Sequence, residues 1–193
     1  MSPRRIVIVG GGPAGFFAAI TCAEAAPDAE VTILEKGAQF LSKVKISGGG
    51  RCNVTHACFD PRELAARYPR GGRAMLALFN QFQASDTVAW FEARGVKLKT
   101  ESDGRMFPAT DSSQTIIDCL MNAAKAAGVK LRLNCGVERV TKLLNSGFEL
   151  KLSDGESIFC DCLLLATGGC RAAAARRDFL PPSPAPRPRQ TRK

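Results

Sequence analysis

Apolar residues fall into two rhythms along the chain. "RIVIV" (Arg5–Val9) and "EVTIL" (Glu30–Leu34) are short β-branched runs that read as buried strands. Between them "PAGFFAAITCAEAA" spaces apolar residues helically over residues 13–26, with Pro13 suited to a first helical turn. Strand, glycine turn, helix and strand within about 30 residues make a right-handed βαβ unit with parallel strands. Helical spacing returns over residues 61–68 and 73–82. It returns again in "SDTVAWFEARG" (85–95), where Ser85 or Asp86 caps the start, Gly95 ends the helix and Val88, Trp90 and Phe91 face the core. Residues 96–99 predict a short strand, 113–127 a capped helix stopped by Gly128, and 129–133 a further strand. The rhythm then changes to consecutive strands, "VERVTKLL", "FELKLS" and "ESIFCDCLLLAT", separated by the hairpin signals "NSG" and "SDG". There is no internal repeat.

The first glycine turn carries chemistry. Gly10 to Gly15, "GGGPAG", contains G-x-G-x-x-G between a predicted strand and a predicted helix, and Glu35 ends the next strand twenty residues later. In that context Gly10 permits the tight turn, Gly12 lets a pyrophosphate approach the backbone, and Gly15 lets helix and strand pack closely. Pro13 and Ala14 open the helix, whose N-terminus offers free N–H groups and partial positive charge to phosphates. Glu35 would accept from ribose hydroxyls, whereas an arginine there would favour a 2′-phosphate.

A second glycine run, "SGGGRCN" (47–53), demands a reason, because each glycine costs roughly 0.5–1 kcal/mol of backbone entropy against alanine. Either it is a slack hinge or something large lies against bare backbone there.

Composition narrows the picture. No apolar run approaches the ~20 residues of a membrane-spanning helix, and "IVIV" is too short for a signal peptide core. Eight cysteines without a C-x-x-C, some of them within apolar patterns, and a single histidine, His56, argue against a zinc site or disulfide framework. Reduced thiols and a cytoplasmic location are the expectation. The net charge of +9 is concentrated in residues 171–193, which hold seven basic residues against one acidic; the 170 residues before them carry +3. That segment also holds five of the eleven prolines and almost no large apolar residues. The expectation is therefore a dinucleotide-binding domain over residues 1–169 and a disordered basic tail over 170–193. Nucleic acid is a weaker expectation, resting on the tail alone.

The acidic residue is not followed by further βα units but by a loop, a helical excursion, a meander and "LLLATGG". In this order the chain resembles the two-dinucleotide-binding-domain flavoproteins, closing on Ala166-Thr167-Gly168. More narrowly, "SGGGRCN" and "GRMFP" (104–108) resemble the BaiN-like family, also called aminoacetone-oxidase-family or YhiN-like NAD(P)/FAD-dependent oxidoreductases. The resemblance implies an α/β, Rossmann-like FAD-binding fold of parallel sheet plus β-meander. It implies FAD as cofactor, NAD(P)H as electron donor and an organic acceptor, an activated C=C bond among the options. By the same resemblance Gly10, Gly12, Pro13, Ala14, Gly15, Glu35 and Lys36 would hold the ADP half, with Val137 near adenine. Lys45, Gly50, Arg51, Cys52, Asn53, Thr167 and Gly168 would lie nearer the pyrophosphate or flavin, and the triple glycine would let main chain lie against the cofactor. For Cys52 a packing role outweighs a redox one. His56 is weighed as proton donor or ordinary capping residue, and Arg105, Phe107 and Pro108 as the flavin end or a strand-edge turn. Family members continue beyond this length into a substrate domain and a returning segment, so a truncated chain is expected and no catalytic residue is named. The alternatives are a non-catalytic nucleotide-binding module with a basic tail, or an inactive gene remnant.

Overall fold

Residues 2–144 and 146–169 are described by the computed structural model. The expected tail at 170–193 lies outside them. β1 (Arg5–Val9) leads through the glycine turn into α1 (Pro13–Ala25), and β2 (Glu30–Leu34) runs parallel to β1 with Ile8 opposite Ile33. α1 starts on Pro13, buries Gly15, Phe16, Ala19, Ile20 and Ala23, and stops before Pro27.

A five-residue helix, α2 (Ser42–Ile46), follows, then a tight turn over Ser47–Gly50 and the two-residue strand β3 (Thr55–His56). The excursion comprises α3 (Pro61–Ala66), α4 (Gly72–Phe79) and α5 (Ala84–Glu92). α5 starts earlier than expected: its N-cap is Gln83, and Asp86, rather than capping directly, accepts from the Gln83 N–H at 2.8 Å. Phe91 is buried, while Val88 and Trp90 are half-buried; Trp90 packs on Phe17 under the Arg94 guanidinium. β4 (Leu98–Thr100) and β5 (Arg105–Pro108) complete a three-stranded antiparallel sheet in the order β3-β5-β4. "RMFP" is thus its central strand, with Met106, Phe107 and Pro108 buried.

α6 (Ser113–Ala126) is capped by the Ser112 hydroxyl, and β6 (Lys130–Arg132) joins the parallel sheet beside β2. The meander is β7 (Val137–Lys142), β8 (Phe148–Leu152) and β9 (Ser157–Cys160). Its expected last strand divides. At Asp161 the chain leaves β9, and β10 (Cys162–Leu165) pairs parallel with β1 instead. The handover is fixed by Asp161, whose N–H donates to the Arg5 carbonyl at 2.9 Å and whose carboxylate accepts from the Arg5 N–H at 2.7 Å.

The main sheet therefore reads β10-β1-β2-β6, all parallel. Strand alternation splits its side chains between two cores. Ile8, Val31 and Ile33 meet α1 and α6 through Phe16, Ile20, Ile116 and Leu120. Val7, Val9 and Leu34 meet the meander through Leu150, Leu152 and Cys160. Helices, parallel sheet and meander form three layers, and the strand C-termini converge at one edge beneath the glycine turn.

Candidate functional site

Three chain segments meet at that edge. Gly10 donates to the Leu34 carbonyl at 2.8 Å, and Ala166 donates to the Val9 carbonyl at 2.8 Å. The first turn is thereby clamped between the ends of β2 and β10. Gly10 has φ +116°, and a Cβ there would overlap the Ala166 carbonyl. A Cβ on Gly15 would overlap the Gly10 carbonyl and lie 3.4 Å from Ile8 Cγ2. Both glycines thus fill mechanical roles, the tight turn and the close helix–strand approach. Gly12 differs. Its φ of −89° suits any residue, and the position a Cβ would take is empty to 4 Å. Nothing in the protein's own packing requires glycine there.

That space lies at the N-terminus of α1, whose N-cap is Gly12 itself and has no side-chain cap. The first-turn N–H groups consequently lack a side-chain acceptor, and Pro13 and Ala14 are exposed beside them. Glu35 stands just past β2. One carboxylate oxygen accepts from the Gly11 N–H and the other from the Gly37 N–H, each at 2.8 Å. A carboxylate offers about four lone-pair sites, so each oxygen keeps one for a further donor. The 134–137 segment lies alongside: Cys135 donates to the Glu35 carbonyl at 2.9 Å and Asn134 to the Gly37 carbonyl at 3.1 Å. Glu35, exposed Lys36 and Val137 are therefore neighbours, as are Gly10, Thr167 and Gly168.

The second glycine run is a left-handed turn. Gly48, Gly49 and Gly50 have φ of 55°, 68° and 87°, a sequence of conformations costly for side-chain-bearing residues. A Cβ on Gly48 would crowd Asn53 N and Phe107 Cε1, both at 2.9 Å; that on Gly49 would stand in open space, and that on Gly50 would only touch the Lys45 carbonyl at 4.0 Å. The turn is thus a fixed shape rather than a slack hinge. Arg51 pairs with Glu101, lies 3.5 Å from Asp111 Oδ1, and stacks its guanidinium 4.1 Å above the Phe107 ring centre. Asn53, with its carboxamide nitrogen toward the main chain, donates to the Thr55 and Met106 carbonyls at 2.9 and 3.2 Å. Both side chains therefore brace the turn. Cys52 is buried in the helical core despite a φ of 62°, and burial pushes its thiol up from the ordinary value. His56 contacts the Asp103 carbonyl through Nε2 at 3.1 Å and lies under Gly104.

α2 ties the two glycine turns together. Leu41, just before it, donates to the Gly11 carbonyl at 2.8 Å, Val44 enters the core, and the Lys45 carbonyl accepts from the Ser113 hydroxyl at 2.9 Å. Lys43 was not singled out from the sequence. Its Nζ stands 3.2 Å from where a Gly168 Cβ would lie, so it places a cation over the Ala166–Gly168 turn. Lys45, two positions on, is rotated about 200° around the helix. Among the described residues neither lysine has a carboxylate partner. Only the amphipathic spacing of a five-residue helix could have separated them, and that is too short to read.

The HI0933-like protein Rossmann domain family matches residues 4–175. The chain is 32% identical over 166 residues to the 3-dehydro-bile acid delta(4,6)-reductase of Clostridium scindens, and 32% identical over 163 residues to the ribosomal RNA dihydrouridine synthase of Escherichia coli. These matches take in 86% and 84% of this chain but 39% of each relative. Among solved structures, the open conformation of a flavocytochrome c3 fumarate reductase superposes with a TM-score of 0.64 at 24% identity, over 87% of this chain and 34% of that one. The expected fold, parallel sheet with an antiparallel meander, is borne out, as is the likeness carried by "SGGGRCN" and "GRMFP". The chain belongs to the HI0933-like Rossmann domain family.

Proposed function

We propose that this chain binds FAD and serves a flavoprotein oxidoreductase that draws hydride from NAD(P)H and reduces an organic acceptor. The observation that carries the reading is the empty space over Gly12. It sits at an uncapped helix N-terminus, within one clamped edge with Glu35, Thr167 and Lys43. A diphosphate fits there: backbone N–H groups and the helix dipole face it, and no side chain occupies the place. Gly10, Gly12, Pro13, Ala14 and Gly15 would shape that cradle, with Glu35 receiving the ribose hydroxyls on its remaining lone pairs. Lys36 and Val137 flank the adenosine end. Thr167 and Gly168 would lie along the middle of the cofactor with Lys43, and with Lys45 on the outer face of α2. Gly50 offers open backbone nearer the flavin. Arg51 and Asn53 would act by holding that turn in shape, and Cys52 by packing beneath it.

FAD, when bound, supplies hydride transfer; the protein's part is to orient it and exclude water. The acceptor class we propose is an activated C=C bond, and the similarity to a delta(4,6)-reductase and a dihydrouridine synthase supports that reading. The seven described cysteines are all free thiols, which supports a reducing, cytoplasmic setting.

The test is spectroscopic. Purified chain reconstituted with FAD should retain flavin absorbance through gel filtration and lose it on anaerobic addition of NADH or NADPH. A colourless protein after reconstitution would contradict FAD binding. A yellow protein bleached by dithionite but by neither nicotinamide would contradict the donor assignment alone.

A further inference from the structure

The loop from Glu35 to Leu41 leaves β2 and returns to the first glycine turn, where it meets Gly11 on three sides. The Gly11 N–H donates to Glu35 Oε2 at 2.8 Å, and the Gly11 carbonyl accepts from the Leu41 N–H at 2.8 Å. The third side is apolar. A Cβ on Gly11 would overlap Phe40 Cδ1 and lie 3.0 Å from both Phe40 Cε1 and Glu35 Cβ. The Phe40 ring is therefore seated on bare Gly11 backbone, beside the stem of Glu35. Phe16, fully buried in α1, meets that ring edge-on, with ring centres 5.5 Å apart and planes at 78°.

This arrangement comes with backbone strain. Leu41 has φ 56° and ψ 24°, a left-handed region that disfavours residues with a side chain, and it is almost fully buried. Strain of this kind persists only where surrounding contacts over-determine it, and it gathers at binding sites. Here it accompanies two successive groups, the Phe40 ring and the Leu41 N–H, converging on one glycine. The consequence falls on Glu35. Its carboxylate hangs on two backbone donors, the Gly11 and Gly37 N–H groups, and only the remaining lone pairs are left for a ligand. Gly11 is thus half of the support that sets the direction of the carboxylate. The Phe40 ring keeps Gly11 from shifting and screens the Gly11–Glu35 hydrogen bond from water, which strengthens it. We propose that Phe40 is a positioning residue for recognition of the adenosine ribose: without touching the cofactor, it fixes Gly11 so that Glu35 presents its free lone pairs to the two hydroxyls. The inference rests on the dinucleotide reading of the cradle over Gly12 and names a residue that sets its selectivity.

The readout is a ratio of affinities. ADP and 2′,3′-dideoxy-ADP, which lacks both hydroxyls, are titrated calorimetrically into the full chain and its variants, each below its melting transition. Wild type should favour ADP by about tenfold or more, through charge-assisted hydrogen bonds to Glu35. Phe40→Ala should narrow that preference to within about threefold, by weakening ADP while the dideoxy analogue binds nearly as before. Phe40→Leu, which keeps apolar bulk on Gly11, should retain more of it. Gly11→Ala, whose methyl evicts the ring, should narrow it too, and adding Phe40→Ala to Gly11→Ala should cost little more. Gly11→Ala carries the test if Phe40→Ala does not fold, because it removes nothing from the core. A merely structural role for Phe40 would weaken both nucleotides alike and leave the ratio at its wild-type value, which overturns the proposal. Wild type that binds both nucleotides equally also overturns it, with the dinucleotide reading intact. Wild type that binds neither overturns that reading and this proposal with it.

Discussion

At the scale of single residues, the glycines of one motif separate into two kinds. Gly15→Ala drives a Cβ into the Gly10 carbonyl, a backbone atom that cannot swing aside, and should cost about 3 kcal/mol or more, read as a lowered melting temperature. Gly12→Asp places its Cβ in open space and supplies a favoured N-cap to α1, so its melting temperature should equal or exceed wild type while FAD affinity falls at least a hundredfold. Cys52 offers a second contrast. Its thiol is held protonated by burial, and Cys160 is pushed up to about 11, whereas Cys162 is exposed. Mass spectrometry after brief iodoacetamide treatment at pH 8 should find Cys162 alkylated and Cys52 unmodified; prompt labelling of Cys52 would argue for a redox role. The motif positions were legible because each glycine's place between strand and helix dictates its task. Lys43 was not legible, since choosing it over Lys45 needs the direction of a side chain, not its spacing.

Between elements, charge pairs join what packing leaves loose. Asp111 binds Lys99 and approaches Arg51 across the β3-β5-β4 sheet, and Glu156 forms a two-pronged pair with Arg132 at 2.7 and 3.1 Å, tying the meander to β6. Hydrogen bonding to Lys99 holds the Asp111 carboxyl below the ordinary value, and that to Arg132 does the same for Glu156. A depressed folded-state pKa gives stability that is present above the unfolded value, near 4, and lost as pH falls through the folded one. Melting temperature should therefore drop as pH falls below about 4, less in an Asp111→Asn, Glu156→Gln double variant. Because both carboxylates face solvent, 0.5 M salt should flatten the dependence. The long elements were readable from their periodicity. β3 was not, having two residues, and "RMFP" was not singled out as a central strand. The division at Asp161 carries no glycine or proline; only its pairing with Arg5, more than 150 residues away, reveals it.

For the molecule as a whole, two cores on opposite faces of one parallel sheet hold the strand ends at a single edge, and the segments of the site reach that edge from the ends of β1, β2 and β10 and from α2. No helix among the described residues is long and apolar enough to cross a membrane. The sheet's β10 edge places Thr167 and Gly168 next to Gly10, so the site is assembled only when the last described strand returns to pair with the first. α2 completes it by bringing Lys43 to the same edge. Lys43→Gln should weaken FAD binding several-fold with a reduced salt dependence, while Lys45→Gln should leave it nearly unchanged. The most direct measurement is a calorimetric titration of the folded chain with FAD, with ADP as competitor. Saturable binding that ADP displaces and Gly12→Asp abolishes, without loss of melting temperature, is the expected result. FAD binding that persists undiminished in Gly12→Asp, or no heat in the wild-type chain, would contradict the account.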